Sequence, residues 1–215
     1  LKENKFAEQR KRLALEMAAG GSLRSEAIKQ AFLSVPREKF FPEESIGYAY
    51  SDDAFPIGCG QTISQPSTIA VMLEMLQARK AQKVLEIGAG SGYVAALLSE
   101  IVGKKGAVFG IEIVHELHQR AARALAEIGY ENIQLRCGDG RKGWKEEAPF
   151  DRILVSAAAG ETQNLLIGQL AEGGKLVAPV GGKFSQEMVL LGKENGKAAE
   201  KERRCCFVFV PLKGG

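Results

Sequence analysis

No stretch of this 215-residue chain approaches the roughly 18 consecutive apolar residues that a membrane span needs, so no membrane partner is expected. Histidine is nearly absent. His115 and His118 are the only two, three apart on one predicted helix, and they leave no usable Ser/His/Asp order for nucleophilic catalysis. The four cysteines, Cys59, Cys137, Cys205 and Cys206, show no C-x-x-C spacing, which argues against a zinc site and for reduced thiols in a cytoplasmic protein. Cys205 and Cys206 are neighbours in a predicted strand, so their side chains should point to opposite faces. An excess of positive charge is also missing: a net charge of +3 is too small to mark a nucleic-acid binder. The opening segment, residues 1–12, is charged and amphipathic and shows no apolar h-region of a secretory signal. A P-loop is absent as well.

What the chain does contain is Lys83-Val-Leu-Glu-Ile-Gly-Ala-Gly-Ser-Gly-Tyr93, an apolar run ending in three glycines at alternate positions. It reads as a buried strand, a tight turn and the start of a helix. Gly88, Gly90 and Gly92 suit a backbone that takes up positive φ and lets a ligand approach where a Cβ would clash. The dinucleotide fingerprint G-x-G-x-x-G is not met, because the third glycine comes one residue early. Glu112 lies 112 − 92 = 20 residues further on, at the end of the next apolar run, where an acid can accept hydrogen bonds from a ribose diol. The two features together indicate a nucleoside-containing cofactor without saying which.

Around this stretch the pattern alternates. Strands are predicted over 83–88, 107–113, 133–138, 151–157 and 174–180, with helices near 94–102, 115–128 and 162–170, Gly129, Gly173 and Gly174 marking helix ends. Such alternation implies an α/β fold with a doubly wound, mostly parallel Rossmann-like sheet. Residues 1–80 read as an N-terminal helical and loop extension on a core of 81–215, the whole making one compact domain. Two helices are expected over 3–19 and 23–33, with Ser22 capping the second, and Phe40 and Phe41 anchoring the extension. An irregular segment with a short hairpin is expected over 48–61, then a helix with Pro66 at its first position. At the other end, 187–192 and 205–212 read as an antiparallel hairpin closing the sheet edge, with the basic run 193–204 as its solvated tip. Gly138-Asp139-Gly140 and the segment 156–160 fall at the carboxyl ends of strands, where ligands bind in such sheets.

The strings Gly58-Cys-Gly-Gln-Thr-Ile-Ser-Gln-Pro66, Val84 to Tyr93, Gly138-Asp-Gly140, Gly143-Trp144, Ala148-Pro-Phe-Asp151 and Pro179-Val-Gly181 closely resemble the protein-L-isoaspartate O-methyltransferase family. The resemblance runs from about residue 5 to residue 213, and Gln61 to Pro66 is its specific part. It implies S-adenosyl-L-methionine as cofactor and isoaspartyl-containing proteins and peptides as substrates. A methyl group passes to the free α-carboxylate, and the ester closes through a succinimide towards normal aspartate. Position by position, Ser64 is implied as the catalytic serine, with Thr62, Ile63 and Ser67 lining the substrate and cofactor mouth. Gly88 and Gly90 would hold the methionine end, Glu112 the ribose, and Asp139 with Gly140 the adenine side; Glu86, Ala89, Gly92 and Ile113 complete the implied cofactor set. Cys59 and Ser67 depart from the family's more usual histidine or aromatic residues.

The chemistry agrees with the missing histidine. A carboxylate nucleophile has a pKa near 3.5–4 and arrives ionised at neutral pH, so it needs no general base. Ser64 and nearby helix-end amides are expected to hold one carboxylate oxygen while the other attacks. The bland alternative is that Ser64 or Ser67 merely caps the helix. Other readings are a methyltransferase acting on RNA or a small molecule, and a module that binds a nucleotide without catalysis. A monomer without nucleic-acid partners is expected.

Overall fold

The computed structural model describes residues 2–158, 163–182 and 184–214. The apolar runs form one seven-stranded sheet. In chain order its strands are β3 (Lys83–Ile87), β4 (Ala107–Glu112), β5 (Ile133–Cys137), β6 (Phe150–Val155), β7 (Leu170–Gly181), β8 (Gln186–Glu194) and β9 (Lys197–Phe207). Their spatial order is β5-β4-β3-β6-β7-β8-β9. β5, β4, β3, β6 and β7 pair in parallel, whereas β7–β8 and β8–β9 pair antiparallel. The order reverses at the β3/β6 boundary, which makes their carboxyl ends the place where a crevice opens.

Both faces of the sheet are covered. Val84, Val108, Leu154 and Val177 share one apolar cluster with α3 (Pro66–Leu76), α4 (Tyr93–Val102), α5 (His115–Ile128) and the N-terminal helices α1 (Lys2–Ala19) and α2 (Glu26–Ser34). Leu85, Ile87, Phe109, Ile111 and Ile153 face the second cluster, with Leu166 and Ile167 of α6 (Gln163–Gly168). Alternation along β3 therefore puts Glu86 on the same face as Val84, where an apolar side chain would be the ordinary choice.

The N-terminal helices join the sheet's cluster through Leu13, Met17, Ile28 and Phe32, and Phe40 and Phe41 are buried as expected. Arg10 ties α1 to the following segment through Tyr50 Oη (2.8 Å) and Glu38 (3.2 Å). Ser22 does not cap the second helix. Its hydroxyl donates to the Met17 carbonyl and so closes α1, and α2 begins only at Glu26. The start of α2 is capped from outside: buried Glu74 of α3 accepts the Arg24 and Ser25 amides (2.7 and 2.6 Å) and the Ser25 hydroxyl (2.6 Å).

β1 (Phe55–Gly58) and β2 (Gln61–Ile63) form the short antiparallel ribbon foreseen in the irregular segment. Three expectations at the other end are corrected. Gly173 and Gly174 lie inside β7 near a register shift and do not end a helix. The charged run after residue 196 is not a solvated tip but the edge strand β9, which ends at Phe207; the turn itself is Asn195-Gly196. Cys205 and Cys206 do not point apart: their sulfurs lie 3.0 Å from each other.

Burial alone would push the Glu74 carboxyl up, but the bonds from Ser25 and Arg24 outweigh it and bring its pKa below the ordinary 4.5. A depressed carboxylate pKa contributes stability that is present above the unfolded value and lost as pH falls. Glu74→Gln is therefore expected to lower unfolding free energy by about 1.5–3 kcal/mol at neutral pH, with the deficit shrinking in acid. Urea titrations at both pH values check this, and equal stability at neutral pH would contradict it.

Candidate active site

The glycine turn follows β3 directly. Gly88, Gly90 and Gly92 have φ of 80°, 53° and 87°, values that L side chains adopt rarely, which explains why glycine occupies alternate positions. Gly92 also starts α4, and a Cβ there would stand 3.1 Å from Ala121 and 3.3 Å from Leu125 of α5. The turn is pinned to the neighbouring strand: the Gly88 and Ala89 amides both donate to the Ile111 carbonyl (2.8 and 3.0 Å).

Glu112, at the end of β4, is buried and braces the turn. One carboxylate oxygen accepts the Gly90 amide and the other accepts the Val114 amide, each at 2.8 Å. A carboxylate offers about four lone-pair sites, so two remain for a diol. Glu112 and Ile113 line a cleft together with Gly88, Gly90, Thr62 and Gly140. The opposite wall is Val210 to Lys213, held by two bonds to Ala158: its amide donates to the Val210 carbonyl (2.9 Å), and its carbonyl accepts the Leu212 amide (3.0 Å).

Glu86, two residues before Gly88, is 1% exposed and does not itself line this cleft, but it touches Ser156, which does. Ser156, just past β6, donates its hydroxyl to one oxygen of Glu86 at 2.9 Å, across the point where strand order reverses. The other oxygen has no hydrogen-bond partner of good geometry, although the Ala95 amide in the first turn of α4 lies near enough to favour the charged form. Burial pushes the Glu86 carboxyl up to about 8, opposed by the Ser156 hydrogen bond and aided by the nearby charge of Glu112. A cation or a hydrogen-bond donor beside such a buried carboxyl would favour its ionised form.

The segment before α3 is held differently. Thr62 lines the cleft, while Ile63 turns into the core, so Ile63 supports the mouth without lining it. Ser64 follows and is half-buried, its carbonyl accepting Arg37 Nη2 at 2.8 Å. Arg37 is fully buried: Nε donates to the Ala49 carbonyl (2.9 Å), Nη1 is unpaired, and the guanidinium lies over the rings of Tyr93 (4.7 Å) and Phe41 (5.3 Å). Desolvation lowers its pKa, partly offset by Tyr93. The expected use of helix-end amides needs correction at Ser67, whose amide already donates to Asp52 Oδ1 at 2.8 Å. Asp139 is engaged too, in a paired contact with Arg141 (Nη2 to Oδ2 2.7 Å, Nε to Oδ1 3.0 Å), and only its neighbour Gly140 reaches the cleft.

Sequence reasoning missed Arg37, Asp52 and the Val210–Lys213 wall. The glutamine-rich motif gives no hint of a buried arginine 27 residues earlier, and residues 210–212 carry the same apolar pattern as a strand. Among the described residues, no group of three or more His, Cys, Asp or Glu could hold a metal ion, and no helix is long and apolar enough to cross a membrane.

A doubly wound sheet, a glycine turn and an acid at the end of the second strand define the class I S-adenosylmethionine-dependent methyltransferase arrangement. Residues 8–215 match the family model described as protein-L-isoaspartate(D-aspartate) O-methyltransferase. The chain is 42% identical over 208 residues to a protein-L-isoaspartate O-methyltransferase of Methanothermobacter thermautotrophicus, covering 96% of each. It is 45% identical to that of Roseiflexus, covering 98% of this chain and 94% of the relative. A solved protein-L-isoaspartate O-methyltransferase superposes with TM-score 0.86 at 32% identity, over 95% of this chain and 66% of that longer one. A Plasmodium falciparum chain described as the same kind of enzyme, in complex with S-adenosyl-L-homocysteine, gives 0.84 at 26% identity, over 96% and 99%. The chain belongs to the protein-L-isoaspartate O-methyltransferase family and is a methyltransferase.

A carboxyl group whose pKa is raised on folding contributes stability that is fully present below its unfolded value and lost as pH rises through the folded one. For Glu86 that window runs from 4.5 to about 8. Relative to Glu86→Gln, the ligand-free protein is therefore expected to lose stability across this window. Paired urea titrations check it; parallel pH profiles would contradict the buried, neutral carboxyl.

Proposed function

We propose that this chain transfers a methyl group from S-adenosyl-L-methionine to the free α-carboxylate of L-isoaspartyl residues in damaged proteins, with Ser64 as the catalytic contact. The observation that carries the cofactor assignment is the oxygen of Glu86, just before the glycine turn, that lacks a hydrogen-bond partner of good geometry. The cofactor's methionine end carries an ammonium group, and a half-satisfied buried carboxylate beside Gly88 and Gly90 fits it in charge. The free lone pairs of Glu112 fit the ribose diol, and Ile113 and Gly140 offer apolar and backbone surface to the base. Asp139 could join the adenine side only by loosening its pair with Arg141.

The cleft encloses about 40 Å³, far below the roughly 300–1,000 Å³ of a site for a ligand of this size. The glycine turn is fixed to β4 by its amides, so the Val210–Lys213 wall, held by two bonds to Ala158, is the side that yields when the cofactor binds.

S-adenosylmethionine supplies a sulfonium methyl that a carboxylate oxygen can displace. The residues of the chain then have to hold the isoaspartyl carboxylate in line and exclude water. The Ser64 hydroxyl donates to one carboxylate oxygen and leaves the other to attack. Buried Arg37, bonded to the carbonyl of the same serine, fixes that residue and places a positive charge beneath an arriving anion, where low dielectric strengthens its pull. The carboxylate is already ionised, so no proton has to be removed. A monomer is part of the same reading, and four free cysteines agree with a cytoplasmic setting.

Ser64→Ala is expected to lower kcat/KM for an isoaspartyl peptide roughly 10- to 100-fold, the loss of one hydrogen bond to a charged group, with little change in cofactor affinity. The matched aspartyl peptide should accept no methyl group from the wild type. Unchanged turnover in the variant removes Ser64 from the mechanism, and equal methylation of both peptides removes the isoaspartyl assignment.

A further inference from the structure

The sheet pairing explains why the thiols of Cys205 and Cys206 meet. Phe207 pairs with Gln186 and Arg204 pairs with Met188, so both cysteines stand opposite the single residue Glu187. Two residues against one is a β-bulge, which breaks the up-and-down alternation of a strand and re-aims its side chains. Cys206 takes φ of 75°, a left-handed conformation that a non-glycine residue adopts only under constraint. Both thiols are exposed, and their sulfurs are 3.0 Å apart.

A disulfide bond needs about 2.05 Å between sulfurs, so closure asks for a sulfur displacement of only about 1 Å. The peptide bond holds adjacent Cα atoms about 3.8 Å apart, short of the roughly 4.4–6.8 Å of ordinary disulfides. The closed ring is therefore strained and readily reopened. Closing it must also change the backbone at Cys206, four residues before Val210. The chain between them is taut: the Phe209 amide donates to Gln186 Oε1 at 2.7 Å, and Val210 and Leu212 are bonded to Ala158.

We propose that Cys205 and Cys206 form a reversible thiol–disulfide modification site, closed by a small-molecule disulfide, and that closure shifts the Val210–Lys213 wall of the cleft. In the first step one cysteine thiolate attacks the disulfide RSSR, forming a mixed disulfide and releasing one RS⁻. In the second the neighbouring thiol loses its proton and attacks the cysteine sulfur of that mixed disulfide, forming the Cys205–Cys206 bond and expelling the second RS⁻. Overall two thiols are oxidised and RSSR is reduced to two RSH. A dithiol reductant reverses both steps. The position of the pair, on the edge strand that leads into the cleft wall, makes the state of the bond a local input to the site.

The test uses the whole reduced protein, incubated with oxidised glutathione. Trypsin releases residues 205–213 as one peptide, because Arg204 precedes it and Lys213 ends it. The expected peptide is lighter by two hydrogens and returns to its original mass with dithiothreitol, while Cys59 and Cys137 carry glutathione. C206S protein should carry glutathione on Cys205 and never yield the lighter peptide. In the closed protein, amide hydrogen exchange over residues 208–213 should change by roughly fivefold or more. Glutathione retained on Cys205 or Cys206 of the wild type overturns the site. A closed pair with unchanged exchange overturns the coupling to the wall. Neither readout involves methyl transfer, so both stand apart from the proposed reaction.

Discussion

A glutamate sits where the sheet calls for a hydrophobic side chain. Glu86 follows Val84 on a face packed by α3 and α4, and only one of its two oxygens has a hydrogen-bond partner of good geometry. An ionised carboxylate in that position would cost several kcal/mol, so the group stays protonated well into the neutral range in the ligand-free protein. The misfit sits on β3, an interior strand of a sheet covered on both faces.

The rest of the site is arranged to keep that spot in register. Glu112 ties the Gly90 amide to the start of α5, and the Gly88 and Ala89 amides tie the same turn to β4. Before α3, Arg37 links Ser64 to Ala49 and rests on Tyr93, the first residue of α4. One buried guanidinium thus connects the N-terminal extension, the serine motif and the helix that begins at the glycine turn. These cross-ties hold the serine motif and the glycine turn, which belong to separate parts of the chain, in one arrangement.

The parallel strands could be read from the sequence because they are continuous apolar runs ending in glycine, a pattern that few other structures produce. The glycine turn and the acid after it could be read for the same reason: Gly88, Gly90, Gly92 and Glu112 fall at positions fixed by local backbone geometry. What escaped depends on partners distant in sequence. Nothing near Glu74 reveals that it caps a helix start 50 residues earlier, nor does Arg37 announce that it will hold Ser64. The charge of residues 193–204 suggests a solvated tip, yet charge is what protects an edge strand such as β9 from pairing with another chain. The side-by-side cysteines depend on a bulge, and a bulge exists only once two strands have chosen their register.

The central claim is that Glu86 is held neutral until the cationic end of the cofactor arrives. Calorimetry of S-adenosyl-L-homocysteine binding at about pH 7, in buffers of different ionisation enthalpy, tests it most directly. A carboxyl with a pKa of about 8 must give up its proton when an ammonium group settles beside it. The account predicts release of close to one proton on binding, abolished in Glu86→Gln. Binding heats independent of the buffer in the wild type would show that the glutamate is ionised from the start, and would contradict it.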